Sequence, residues 1–242
     1  MCGRYTITTK YTKLVQRWQF PADDAGIQKL IPSYNIAPSQ KVVVVWAGKQ
    51  GNALTGMRWG LIPPWAKDAS VGYKMINARA ESVGEKPSFK KAFKEQRCLI
   101  IADGFYEWQK KGKEKQPVRI VLRSRELFAF AGVWSTWKEP ESNKEIVTCA
   151  IVTCEANPLL KEVHDRMPVE RRDDGGSYTP AQICRVNIGM GHGAVNLGRA
   201  EPLVCRPHQH SVSLALLLQG FREDYLAGGR IGGRNNVGPS LR

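Results

Sequence analysis

All seven tryptophans of this 242-residue chain (Trp18, Trp46, Trp59, Trp65, Trp108, Trp134 and Trp137) lie in its first 137 positions. The last 73 residues hold only Tyr178, Phe221 and Tyr225 as aromatics, yet 12 of the 23 glycines. Large rings supply the buried area that a core requires, whereas glycine raises the entropic cost of ordering a chain. Residues 1–169 are therefore expected to form the folded domain. Residues 170–242 form an atypical Gly/Arg-rich segment, and Gly228-Gly229 and Gly232-Gly233 argue against an ordered terminus.

Charge follows the aromatics. Residues 1–169 carry 27 basic and 16 acidic side chains, so +11 of the formal +14 belongs to them. Lys and Arg gain affinity for polyanions by releasing counterions from phosphates, which makes nucleic acid a candidate partner. The longest apolar runs, Val42–Ala47 and Leu214–Leu218, are too short to cross a bilayer. No apolar stretch follows the start, so no secretory signal and no membrane attachment is expected. Six cysteines (Cys2, Cys98, Cys149, Cys154, Cys184 and Cys205) show no framework spacing, which favours a reducing, cytoplasmic setting. Cys184, His192, Cys205, His208 and His210 match no structural zinc pattern, and Gly189–Gly193 lacks the lysine of a phosphate loop. Neither a metal nor a cofactor is assigned.

The local pattern is mixed. Leu14, Val15 and Trp18 stand at helical spacing within Tyr11–Phe20, and Phe89 and Phe93 stand four apart within Ser88–Gln96. Glu155–Val163 reads as a further short helix, and Val212–Leu226 as an amphipathic one. Strands are expected at Lys41–Trp46, Arg97–Ala102, Phe105–Gln109, Val118–Leu122, Leu127–Trp134 and Ile146–Thr153, with Lys110–Gln116 as a hairpin tip. Strands and helices do not alternate as βαβ units. The expected class is α+β, a single domain with an antiparallel, barrel-like sheet and flanking short helices.

Several residues could carry chemistry. Removal of Met1 would leave Cys2 with a free α-amine beside its thiol, both partly nucleophilic at neutral pH. Such an aminothiol can condense with an aldehyde and close to a thiazolidine; a residue near a frayed terminus can also be incidental. In Ile76–Glu81 an extended backbone would set Asn77 and Arg79 on one face, an orienting amide beside a phosphate grip, although an Asn turn and a solvated Arg read the same way. In Asp103–Trp108, alternation puts Phe105, Glu107 and Gln109 on one side and Tyr106 and Trp108 on the other. A carboxyl sharing a face with Phe105 would be desolvated and its pKa raised, making Glu107 a usable acid or base. His164, the only histidine before residue 170, sits on a loop before Arg166-Met167-Pro168. Trp59 and Trp65 bracket a proline-held loop that is either a stacking platform for unpaired bases or buried core.

Taken in order, Met1–Tyr5, Tyr34–Pro38, Trp59-Gly60 with Pro64-Trp65, Ile76–Glu81, Asp103–Trp108 and His164–Pro168 resemble the SRAP (SOS-response-associated peptidase) family. The resemblance covers residues 1–169; the charged run that begins at Glu170 departs from the family pattern. It implies a monomeric protein that crosslinks covalently to abasic sites in single-stranded DNA through Cys2, with Asn77, Glu107 and His164 as catalytic neighbours. It further implies Arg4 and Arg79 as phosphate contacts, and Asn35, Pro38, Trp65, Met167 and Pro168 as the lining of a DNA groove. Autocatalytic removal of Met1 goes with it. Two other readings stay open on the residues alone: a cysteine peptidase or amidohydrolase acting through Cys2, and a non-catalytic single-stranded DNA-binding module.

Overall fold

The computed structural model describes residues 2–18, 25–48, 51–171 and 183–187. In chain order the elements are β1 (Arg4–Ile7), α1 (Tyr11–Trp18), α2 (Ala25–Gln28), β2 (Ser33–Ile36), β3 (Lys41–Gly48), β4 (Gly51–Trp59), α3 (Val71–Lys74), β5 (Asn77–Arg79), α4 (Pro87–Glu95), β6 (Arg97–Ala102) and β7 (Gly104–Lys111). They continue with β8 (Glu114–Leu122), β9 (Phe128–Lys138), β10 (Glu145–Glu155), α5 (Pro158–Lys161), β11 (Arg166–Pro168), β12 (Glu170–Arg171) and β13 (Ile183–Asn187). The expected helix at Val212–Leu226 and the glycine pairs after it lie outside the described residues.

One sheet runs β10-β4-β3-β6-β9, and β9 pairs back with β10, so these strands close into a barrel. The second sheet runs β13-β8-β7-β1-β2. The architecture is thus α+β, a closed barrel with short flanking helices. Among the described residues all pairings are antiparallel except those of β10 with β4 and with β5.

Strand β10 positions the site. Thr153 pairs with Arg79 of β5 and also with Pro168 of β11, so these two short strands occupy opposite edges of β10. On one edge β4 (Cys149↔Trp59) gives way to β5 (Ile151↔Asn77). On the other, β9 (Ile151↔Gly132) gives way to β11. The Asn77 and His164 segments therefore flank the same few residues of one strand.

Aromatic side chains fill the main core. Tyr5 meets Trp59 and Phe130 edge-on at 5.3 and 5.6 Å between centroids, and Phe105 meets Phe130 at 5.9 Å. A second cluster joins Phe89 and Phe93 of α4 to Ala131, Val133, Ala150 and Val152. Burying each of those Phe rings contributes about 1.5–3 kcal/mol, which holds a helix too short to persist alone.

Two expectations need correction. The helix expected over Glu155–Val163 spans only Pro158–Lys161, because β10 continues through Glu155 and the Asn157 side chain, accepting from the Leu160 N–H at 3.0 Å, starts a new element just before Pro158. The hairpin tip is not Lys110–Gln116: pairing runs out to Lys111↔Glu114, and only Gly112-Lys113 turn, with Gly112 at φ +61°. Strand β4 was not anticipated, since its few large apolar residues give no alternation; its register with β3 supplies the ladder instead.

Candidate active site

Cys2 is placed by the strand that follows it. β1 lies between β2 and β7, with Arg4 opposite Tyr106, Tyr5 opposite Phe105 and Thr6 opposite Gly104. Carried one residue outward, that register sets Gly3 opposite Glu107. The far end of β1 is fixed by Asp103, which is 5% exposed. Asp103 accepts from the Thr6 and Thr8 hydroxyls, each at 2.6 Å, from the Thr8 and Thr9 N–H groups, and from Arg119 at 3.0 Å. The next residue has to be glycine, since a Cβ at Gly104 would lie 2.7 Å from Arg119 Nε and 2.9 Å from Val121 Cγ1.

The Cys2 side chain is fully buried. Its carbonyl accepts a 3.0 Å hydrogen bond from Asn77 Nδ2, which ties the start of the chain to β5. Asn77 Oδ1 is buried without a hydrogen-bond partner. Burial pushes the Cys2 thiol pKa well up, and the negative charge of Glu107 adds to the effect. The thiol is therefore held in its protonated form.

Alternation along β7 comes out as the sequence predicts: Phe105 and Glu107 are buried, while Trp108 is 40% exposed. Desolvation raises the Glu107 carboxyl above its ordinary value, with nearby positive charge, His164 included, pulling the other way. Glu107 and His164 line one cleft of about 820 Å³ together with Trp108, Lys110, Lys115 and Val163. The cleft does not reach the buried Cys2 thiol.

His164 follows α5, and its Nδ1 accepts from the Arg166 N–H at 2.9 Å. Asp165 Oδ1 also lies 2.7 Å from Nδ1, but Asp165 is 81% exposed. The Arg166 backbone and the Asp165 carboxylate together fix the orientation of the ring. Arg166 then crosses β10: Nη1 and Nη2 donate to the two carboxylate oxygens of Glu81 at 2.7 and 2.9 Å, and Nη2 also to the Thr153 carbonyl at 2.7 Å. This pairing holds the Glu81 carboxyl below its usual value.

The remaining predicted residues divide by exposure. Arg4 Nη1 donates to Asn35 Oδ1 at 3.0 Å, and Asn35 and Arg79 are exposed. Pro38 and Met167 are half-buried, and Pro168 is buried. Of the two bracketing indoles, Trp59 is core and donates to the Ile76 carbonyl, whereas Trp65 is 64% exposed.

A further buried acid has no signal in the sequence. Glu170 pairs with Phe130, whose ring lies in the main core, while Val169 packs into the cluster on the opposite face. The Glu170 side chain thus points into the interior that also holds Cys2 and Tyr5. Its Oε2 has no hydrogen-bond partner, and burial pushes its pKa up to about 8. Among the described residues, no three His, Cys, Asp or Glu side chains converge as metal ligands would, and no helix is long and apolar enough to cross a membrane. Cys184 lies in β13, and His192, Cys205, His208 and His210 lie outside the described residues.

Comparison with known proteins places this geometry in context. The family model described as SOS response associated peptidase (SRAP) matches residues 1–174. The chain is 48% identical over 176 residues to the abasic site processing protein YoqW of Bacillus subtilis (strain 168), covering 72% of this chain and 77% of that one. It is 32% identical over 167 residues to the abasic site processing protein HMCES of Gallus gallus, covering 57% and 50% respectively. The fold matches an X-ray structure of a protein from Bacteroides thetaiotaomicron with a TM-score of 0.71 at 22% identity, covering 78% of this chain and 93% of that one. The chain belongs to the SRAP family.

Proposed function

We propose that this protein processes abasic sites in single-stranded DNA by forming a covalent crosslink through Cys2. The observation that carries the reading is the Asn77–Cys2 hydrogen bond, which fixes the second residue of the chain beside a desolvated carboxyl. The names of the relatives, abasic site processing proteins, support it.

Met1 precedes Cys2, so the α-amine is freed only when water hydrolyses the bond between them. An abasic deoxyribose is mostly a closed hemiacetal. His164 Nε2–H donates to the ring oxygen as the C1′–O4′ bond breaks, and the C1′ hydroxyl proton passes to water, leaving an aldehyde. The Cys2 amine attacks C1′ while Glu107 takes its proton, and loss of water gives an iminium. The thiol, protonated until then, adds to C1′ as its proton passes to His164 Nε2, left bare by ring opening, and the C=N electron pair moves to nitrogen. The product is a thiazolidine, one water lighter than protein plus aldehyde. Closure removes the iminium that would otherwise drive β-elimination and strand cleavage. Asn77 holds the Cys2 carbonyl throughout, and Arg4, Arg79, Asn35, Pro38, Trp65 and Met167 hold the strand.

Protein lacking Met1, mixed with single-stranded DNA carrying one abasic site, should give a shifted band on a denaturing gel. Cys2→Ala should abolish that band. A gel with no shifted band for the unmodified site would rule the reading out.

A further inference from the structure

Arg166 reaches across the end of β10. Its backbone lies in β11, opposite Glu155, yet its Nη2 donates to the Thr153 carbonyl at 2.7 Å. That carbonyl also accepts from the Ala80 N–H at 2.8 Å, so the guanidinium arrives where the chain leaves β5. There Glu81 meets it with both carboxylate oxygens, at 2.7 and 2.9 Å. A two-point fork of this kind fixes direction as well as distance. The pair straps the Asn77 strand on one edge of β10 to the His164 segment on the other.

The Arg166 side chain is 15% exposed and that of Glu81 55%. The cation is mostly out of water and requires an anion, since a buried charge left without its partner is costly. The Glu81 fork raises the Arg166 pKa above its ordinary value, and the charge of Asp165 adds to the rise. Asp165 therefore stands within electrostatic reach of Arg166 while its Oδ1 lies 2.7 Å from His164 Nδ1. The imidazole and the guanidinium compete for one exposed carboxylate. Glu81 decides that competition by filling the guanidinium fork, and the Arg166 N–H stays 2.9 Å from the same ring nitrogen.

We propose that Glu81 is a positioning residue for His164: by filling the Arg166 fork it keeps Asp165 on the imidazole and the ring on the wall of the cleft shared with Glu107. This role deepens the crosslinking reading of the same site and rests on it. Glu81 is not among the residues that line the cleft, so it acts through Arg166 alone.

The test is single-turnover crosslinking of Met1-free protein to an abasic single strand over a range of protein concentrations, which separates the maximal rate from the half-saturating concentration. Glu81→Ala should lower the maximal rate about tenfold. Its half-saturating concentration should not rise, because removing an anion from a basic domain weakens no phosphate contact. Glu81→Gln, which leaves an oxygen for the guanidinium, should stay within about threefold of wild type. Asp165→Ala should be about as slow as Glu81→Ala, and the double variant no slower than either, because both changes take the same carboxylate from the ring. A wild-type maximal rate in Glu81→Ala would overturn the role, and so would a Gln variant as slow as Ala. Losses that multiply in the double variant would overturn it too, as would a raised half-saturating concentration at an unchanged maximal rate, which would make Glu81 a DNA contact. A wild-type protein that forms no adduct would remove the functional reading and this role together.

Discussion

Asn77 Nδ2 donates to the Cys2 carbonyl across 75 residues of sequence, at 3.0 Å. The bond joins β5, set on one edge of β10, to the start of β1 in the other sheet. It makes the position of Cys2 a property of the barrel rather than of a free terminus. Asn77→Ala should slow crosslinking about 10- to 100-fold while Tm changes little, because the lost contact orients a reactant. Single-turnover gel kinetics beside a melting curve check this; an unchanged rate would leave the contact without a role.

Glu107 sits in a desolvated position that raises its pKa, so its basic form appears at higher pH than an ordinary carboxylate's. The crosslinking rate should therefore climb with pH through a point above the usual carboxylate range. Glu107→Gln should lower the rate and remove that rising limb. A Gln variant with the wild-type pH profile would show that another group takes the proton.

How much of this was readable in advance depended on how local the cause was. Leu14, Phe89 and Phe93 announced α1 and α4 through spacing, and the Phe105/Glu107 alternation announced a buried carboxyl. Trp59 and Trp65 could not be told apart, because only the pairing of β4 with β10 decides that one is core. The Asp103 node was invisible for the same reason, its partners Thr6 and Thr8 being more than 90 residues away. Glu170 opens a charged run that carries no sign of burial in the sequence; its register with Phe130 turns it inward.

The Asp103 node should dominate the stability of the second sheet. Asp103→Ala leaves Arg119, 17% exposed, without its carboxylate and strips acceptors from Thr6 and Thr8. The expected loss is roughly 3 kcal/mol, read as a lower denaturant midpoint. A loss below about 1 kcal/mol would mean that water replaces the carboxylate.

Glu170 should make stability fall as pH rises. Its folded pKa of about 8 lies above the unfolded value of about 4.3. Its favourable contribution is complete below the unfolded value and is lost as pH climbs toward 8, at a cost on the order of a few kcal/mol. Glu170→Leu should therefore raise Tm by several degrees at pH 8 and much less at pH 5. An equal gain at both pH values would assign the effect to packing.

The central claim is a thiazolidine on Cys2, and mass analysis of the adduct tests it most directly. Protein lacking Met1 is reacted with an abasic single strand, without reductant, then trimmed with nuclease and protease. The account predicts one modified peptide, beginning at Cys2, with the mass of the sugar fragment less one water. An adduct on a lysine, or one recovered only after borohydride reduction, would contradict it.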